Sequence, residues 1–153
     1  MIGIRNESQK DPHSMENAAL LENRRKSILV KIPVSIGELV DKATILSIKA
    51  KEIKDSDKLS HIRKELNLLL NATKQVEVDT DSKEVKALTN INLKLWNLEN
   101  AIRGKEKKAQ FDKEFIELAR AIYQLNDKRT MLKRRISLKY DSGLIEEKEY
   151  RIS

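Results

Sequence analysis

Cysteine is absent from this chain, so disulfide bonds and thiolate metal sites are excluded. Glycine and proline are scarce, at four and two residues, whereas sandwiches and barrels need many turns built from them. Aromatic residues make up only 4% of the sequence, which leaves few side chains for stacking on nucleic-acid bases. These shortages argue against all-β folds and against recognition of single strands by stacking.

Long hydrophobic runs are absent too. No apolar stretch approaches the roughly 20 residues that cross a bilayer as a helix. The N-terminus lacks the basic start, apolar stretch and small-residue cleavage site of a secretory signal. We therefore expect a cytoplasmic protein with no membrane partner, and the lack of cysteine fits a reducing compartment.

Standard catalytic and cofactor motifs are also missing. The two histidines, His13 and His61, have no Asp or Glu at the spacing of a zinc site. Residues 37–42, GELVDK, do not form a phosphate-binding loop. The sequence therefore predicts no metal and no cofactor; it leaves enzyme activity uncertain and favours a non-enzymatic role.

Apolar residues recur at alternating steps of three and four, the spacing of helices in bundles. The first predicted helix carries Ile36, Leu39, Ala43, Leu46, Ala50 and Ile53. The second carries Leu59, Ile62, Leu66 and Leu69. The third carries Leu88, Ile91, Leu95, Leu98 and Ile102. The fourth carries Phe115, Leu118, Ile122, Leu125, Leu132 and Ile136.

These stripes predict an all-α fold, an antiparallel helical bundle of about four helices with a long C-terminal helical hairpin. The predicted N-caps include Ser35, Asp57 and Asp112. Ile45 and Ile48 add a second apolar side to the first helix, so we expect that helix to be central.

One folded domain is predicted, over residues 28–153. Residues 1–27 begin with a polar, aperiodic stretch and are predicted to be a mobile N-terminal extension, with a short helix as an option for 15–26. The tail that follows residues 141–143 is rich in acids. We expect it to fold back onto the basic end of the fourth helix.

A charged residue interrupts the apolar stripe of the fourth helix. Arg129 occupies a stripe position, where an unpaired buried charge is costly. One interpretation pairs Arg129 or Lys133 with Glu99 or Glu106 of the third helix and so fixes the register. The other is a cavity in which arginine forks hold a carboxylate or phosphate.

Further polar residues flank the stripes at intervals of seven, such as Lys42 and Lys49, or Asn92 and Glu99. Together they predict charged columns between helices. The candidate ligand-binding residues are Lys42, Lys49, Trp96, Glu99, Arg103, Asn126, Arg129 and Lys133.

Residues 128–139 contain six basic residues and no acid: Lys128, Arg129, Lys133, Arg134, Arg135 and Lys139. One interpretation is a phosphate-binding surface. The other is a solvated helix face near a C-terminus, where cations suit the helix dipole.

Four blocks of sequence resemble, in this order, a family of small bacterial and phage proteins classed as a domain of unknown function. They are IPVSIGELVDKATIL (32–46), INLKLWNLENAIRGKE (91–106), FIELARAIYQLNDKRTMLKRRI (115–136) and EEKEY (146–150). The resemblance covers about residues 28–150; it implies a soluble helical protein and supplies no activity. A more distant likeness, in architecture alone, is to small helical chorismate mutases, which hold a dicarboxylate with Arg, Lys and Glu side chains.

Three functions compete at this point. The favoured one is a non-enzymatic binding or adaptor module for a protein or an anionic small molecule, with homo-oligomers an option for a bundle of this kind. The second is a small enzyme for a carboxylated or phosphorylated metabolite, with Arg103, Arg129 and Lys133 holding the anion and Glu99 moving protons. The third is nucleic-acid binding through residues 128–139.

Overall fold

The structure, a computed structural model, describes residues 28–149. Four helices lie in this range, with no strand among the described residues: α1 (Ile36–Glu52), α2 (Ser56–Gln75), α3 (Lys83–Lys107) and α4 (Lys113–Lys139). All four helices belong to one compact unit, which begins at residue 33. The predictions of a mobile extension and a short helix within residues 1–27 lie outside the described residues.

Side-chain caps set where three of the helices begin. Ser35 accepts a hydrogen bond from the amide of Glu38, and Asp112 accepts one from the amide of Phe115, as predicted. The predicted cap of α2 at Asp57 is wrong. Asp55 caps that helix by accepting from the amides of residues 57 and 58, because α2 begins at Ser56, two residues earlier than a cap at Asp57 implies.

The helices form an all-α antiparallel bundle in which α1 is central. This helix contacts each of the other three, whereas α2 has only α1 as a close helical neighbour among the described helices. Helices α3 and α4 form the long C-terminal hairpin. Ion pairs mark its two ends, Lys105 with Asp112 beside the turn and Glu84 with Lys139 at the opposite end. The predicted fold class is confirmed.

The core lies where α1, α3 and α4 meet. Its main apolar cluster consists of Val40, Val78, Val85, Leu88 and Ile136, and the last two are fully buried. The predicted stripe of α1 is rotated relative to the one observed. Its buried residues are Gly37, Val40, Asp41, Ala43, Thr44, Leu46 and Ile48. The apolar pattern misses this phase because three of the buried residues, Gly37, Asp41 and Thr44, are not hydrophobic.

A glycine brings the start of α1 close to α4. A Cβ at Gly37 would lie 2.2 Å from the carbonyl oxygen of Lys133 and 2.7 Å from Oγ of Ser137. The backbone amide of Gly37 donates to that same Oγ at 3.0 Å. The two helices can approach this closely only because residue 37 has no side chain.

Within the described residues, no helix is long and apolar enough to cross a membrane.

The substitution Gly37→Ala is expected to lower the free energy of unfolding by about 1–3 kcal/mol, because the new methyl group would overlap the backbone of α4 at Lys133. The matched control is Gly104→Ala on α3, where an added Cβ meets nothing within 4 Å. That change should raise the free energy of unfolding by about 0.5–1 kcal/mol. Urea denaturation of both variants measures the effects, and equal stability of the two would contradict the close approach.

Candidate functional site

A buried ion pair joins α1 to α4. The carboxylate of Asp41 is 1% exposed and accepts two hydrogen bonds from the guanidinium of Arg129: Nε donates to Oδ1 at 2.9 Å and Nη2 donates to Oδ2 at 2.6 Å. This two-bond geometry fixes both side chains in one plane. The hydrogen bonds with Asp41 raise the pKa of Arg129 above its ordinary value, and this effect outweighs burial, which by itself would lower the pKa.

Helix α3 completes the surroundings of this carboxylate. Nδ2 of Asn92 donates to Oδ1 of Asp41 at 2.9 Å and to the hydroxyl of Thr44 at 2.8 Å. The hydroxyl of Thr44 in turn donates to the backbone carbonyl of Asp41 at 2.8 Å. Donors from two helices therefore satisfy an acid on a third, and the three helices meet in one polar network.

The predicted pairing of Arg129 with an acid of the third helix is wrong. Its partner is Asp41 on α1, because Glu99 and Glu106 are exposed while Asp41 lies on the buried face of α1. The sequence pattern gave no signal for Asp41. On the buried face formed by positions 37, 41, 44 and 48, Ile48 is the only large apolar residue.

A second ion-pair cluster fixes the C-terminal segment. Nζ of Lys133 lies 2.5 Å from an oxygen of Glu38 and 2.5 Å from one of Glu146, which corrects its predicted pairing with Glu99 or Glu106. Burial opposes the charge of Lys133, but the hydrogen bonds with Glu146 and Glu38 outweigh it and its pKa is raised. With Glu147 paired to Arg134, the described part of the acidic tail folds back onto α4 as predicted.

Three serines hold the start of α1. The amides of Ile36 and Gly37 donate to the hydroxyls of Ser142 and Ser137 respectively, each at 3.0 Å. Ser35, directly before the helix, accepts a hydrogen bond from the amide of Glu38. The first amides of a helix have no partner inside it, so these hydroxyls satisfy them. The sequence pattern identified Ser35 only, because the other two serines are about a hundred residues away along the chain.

A groove opens beside the Asp41–Arg129 pair, between α1, α3 and α4. Its volume is about 230 Å³. Its lining residues are Ile45, Ile48, Lys49, Asn92, Leu95, Trp96, Glu99 and Arg129. The walls are therefore mostly apolar, and three charged side chains reach its edge.

The structure brings together about half of the predicted site residues. Lys49, Trp96, Glu99 and Arg129 line this groove. Asn126 contacts it only indirectly, because Nη1 of Arg129 donates to its Oδ1 at 3.4 Å.

The other predicted residues lie elsewhere. Lys42 pairs with Glu65 of α2 at 2.6 Å. Arg103 lines a neighbouring concavity, and Lys133 belongs to the C-terminal cluster. Within residues 28–149, no group of three or more His, Cys, Asp or Glu side chains is placed to hold a metal ion.

Acids neutralise most of the basic stretch 128–139. In addition to Arg129 and Lys133, Arg134 pairs with Glu147, and Lys139 with Glu84 at 2.7 Å. Among the described residues, Lys128 and Arg135 alone in this stretch have no acidic partner. Two free cations are few for a surface that binds phosphates by charge.

A family model described as "Family of unknown function (DUF6165)" matches residues 30–153. No curated protein matches the chain. No solved structure matches it either. The site must therefore be interpreted from its own geometry.

Removing either partner of the Asp41–Arg129 pair is expected to be strongly destabilising. Arg129→Met leaves the buried carboxylate with Asn92 as its remaining side-chain donor and should cost about 3–5 kcal/mol of unfolding free energy. Asp41→Ala should cost less, because Arg129 is about 28% exposed and keeps water. The double variant should be more stable than the sum of the two losses predicts, with a coupling of about 1–3 kcal/mol. If chemical denaturation shows that the losses of unfolding free energy in the two single variants simply add in the double variant, the two side chains do not interact as described.

Acid is expected to loosen the C-terminal segment. The hydrogen bond from Lys133 lowers the pKa of Glu146 below its ordinary value of 4.5. Its contribution to stability is therefore fully present above pH 4.5 and is lost as the pH falls through the lowered pKa. Glu146→Gln should reduce this part of the acid dependence, as measured by denaturation midpoints across this range. An acid dependence identical to that of the wild-type chain would show that this pair contributes nothing.

Proposed function

We propose that this chain, which belongs to a family of unknown function, is a non-enzymatic binding module. Its groove between α1, α3 and α4 recognises an anionic group carried by a small molecule or by a partner protein. The proposal rests on two observations about Arg129. The buried carboxylate of Asp41 holds its guanidinium in place, and the Arg129 side chain lines the groove.

The guanidinium of Arg129 keeps donors for a ligand. An arginine has five N–H donors, and three of them are used here by Asp41 and Asn126. One N–H on each terminal nitrogen remains. Because Asp41 fixes the plane of the fork, little side-chain freedom is lost when a carboxylate or phosphate binds.

Lys49 supplies the charge that selects an anion. Asp41 offsets the charge of Arg129, so the guanidinium alone would attract an anion only weakly. Lys49 lines the same groove and has no ion-pair partner among the described residues. The carboxylate of Glu99, on the α3 side of the groove, repels ligands that carry negative charge over their whole surface. Trp96 offers an apolar surface beside it. A ligand with an anionic group next to an apolar or donor group fits this lining best.

The size of the groove limits the ligand further. Drug-sized molecules occupy pockets of about 300–1,000 Å³. The groove, at about 230 Å³, is smaller. A small carboxylate or phosphate, or one acidic side chain of a protein, therefore fits better than a nucleotide.

Binding is favoured over catalysis by the kinds of residue in the lining. The one acid there, Glu99, is exposed, and the lining contains no histidine, serine or threonine. General acid–base work in the groove would fall to Glu99 or Lys49, and neither side chain forms a hydrogen bond among the described residues that would orient it for proton transfer. The enzyme hypothesis stays a prediction.

A panel of small anions tests the proposal. Acetate, inorganic phosphate, L-glutamate and O-phosphoserine are titrated into the full chain by calorimetry and thermal denaturation. At least one should bind, and a concentration of about 100 times Kd should stabilise the chain by about 2.7 kcal/mol. Lys49→Ala should weaken binding at least about tenfold, since it removes the uncompensated cation.

The matched control is Lys42→Ala, seven residues away on the same helix. Lys42 pairs with Glu65 and lies outside the groove, so its loss should change the affinity less than about twofold. Equal effects of the two substitutions, or no binding across the panel, would contradict the proposed function.

A further inference from the structure

The α3–α4 hairpin extends beyond the end of α1. Positions 92 and 129 face α1, because Asn92 and Arg129 both bond to Asp41. Residues seven apart share a helix face. Residues 99 and 106 of α3, and 122 and 115 of α4, therefore continue that face toward the hairpin turn. Helix α1 borders this face as far as Glu99, where the ligand groove lies, and ends at Glu52. No residue of α1 lines the concavity nearer the turn, which Ile102, Arg103, Glu106 and Phe115 share with Glu99.

The seam of this distal half is less buried than the rest. In the proximal half Leu88 and Ile136 are 0% exposed, and Leu95 is 5% exposed. Every apolar seam residue of the distal half is only half-buried: Leu98, Ile102, Phe115, Leu118, Ile122 and Leu125. At the turn, Phe111 is 61% exposed and packs edge-on against Phe115. Two helices alone leave one side of their shared apolar seam open to water.

Three charges without ion-pair partners border this open seam. Glu99, Arg103 and Glu106 line a concavity of about 270 Å³ together with Ile102 and Phe115. Among the described residues, none of these three forms a side-chain hydrogen bond or an ion pair. This contrasts with the paired charges at both ends of the hairpin.

Arg103 and Glu106 lie three residues apart on one helix edge, and this pair of opposite charges complements itself when two helices run antiparallel. If the two-fold axis between two copies of α3 passes between residues 104 and 105, Arg103 of each copy lies level with Glu106 of the other. Two reciprocal ion pairs result, no acid of one α3 lies opposite an acid of the other, and apolar seam meets apolar seam beside the turn.

We propose that this face is a homodimer interface, in which the distal hairpins of two copies pack as an antiparallel four-helix bundle. The contact is isologous, so the same patch serves both copies and the assembly closes at two. Covering the seam gives it the burial that the proximal half receives from α1. The two proposed sites share Glu99, which lines both concavities, but the residues that carry the dimer contact, Ile102, Arg103 and Glu106, do not line the ligand groove.

Sedimentation analysis of the full chain, from about 1 to 100 µM, tests this directly. The wild-type chain should form a dimer, and Arg103→Glu should weaken it at least about tenfold by placing acids opposite acids. Reversing the charge pattern with Arg103→Glu and Glu106→Arg together should restore the dimer. Circular dichroism checks that each variant keeps its helices.

The matched control is Arg120→Glu. Arg120 is also exposed and lies on α4, about 140° around the helix from Phe115 at 100° per residue, so its reversal should leave the dimer unchanged. Equal weakening by both arginine reversals, or failure of the reversed pattern to restore the dimer, would overturn the proposal. A chain that stays monomeric would overturn it too; hydrogen exchange of residues 99–122 would then show whether residues 1–27 cover the seam.

Discussion

The carboxylate of Asp41 is the constraint on which the bundle depends. It is 1% exposed, so water cannot solvate it, and its hydrogen bonds must come from protein. Arg129 on α4 and Asn92 on α3 supply them. An apolar residue would tolerate small shifts along the helix axes, whereas this acid requires both donors at hydrogen-bond distance. We interpret the pair as a device that fixes helix register, since buried ion pairs often add little net stability.

The position of α1 has two consequences for the surface. With Asp41 fixed between α3 and α4, Gly37 lies against the backbone of α4, and the following turns of α1 form one wall of the groove. The same register also determines where α1 stops along the hairpin. Beyond that point the α3–α4 seam has no cover among the described helices. The proposed ligand groove and the proposed dimer face thus both follow from the length and placement of one helix.

The sequence predicted the fold closely because helix periodicity and capping are local. Four helices, the C-terminal hairpin and the caps at Ser35 and Asp112 were all visible in patterns a few residues long. The partner of Arg129 was not, since it lies 88 positions away and the apolar pattern treats an aspartate as a surface residue. Likewise, nothing local distinguishes Ser137 and Ser142 from other serines. Polar residues inside a core are identified only when the helices that satisfy them are placed together.

The protection of the Arg129 side chain tests the central claim most directly. Arginine-selective ¹⁵N NMR measures how fast each guanidinium Nε–H exchanges with water. We expect the Nε–H of Arg129 to exchange far more slowly than those of the exposed Arg103 and Arg120, because it donates to the buried carboxylate. Exchange of Arg129 as fast as that of these two arginines would mean that the pair does not hold the three helices together.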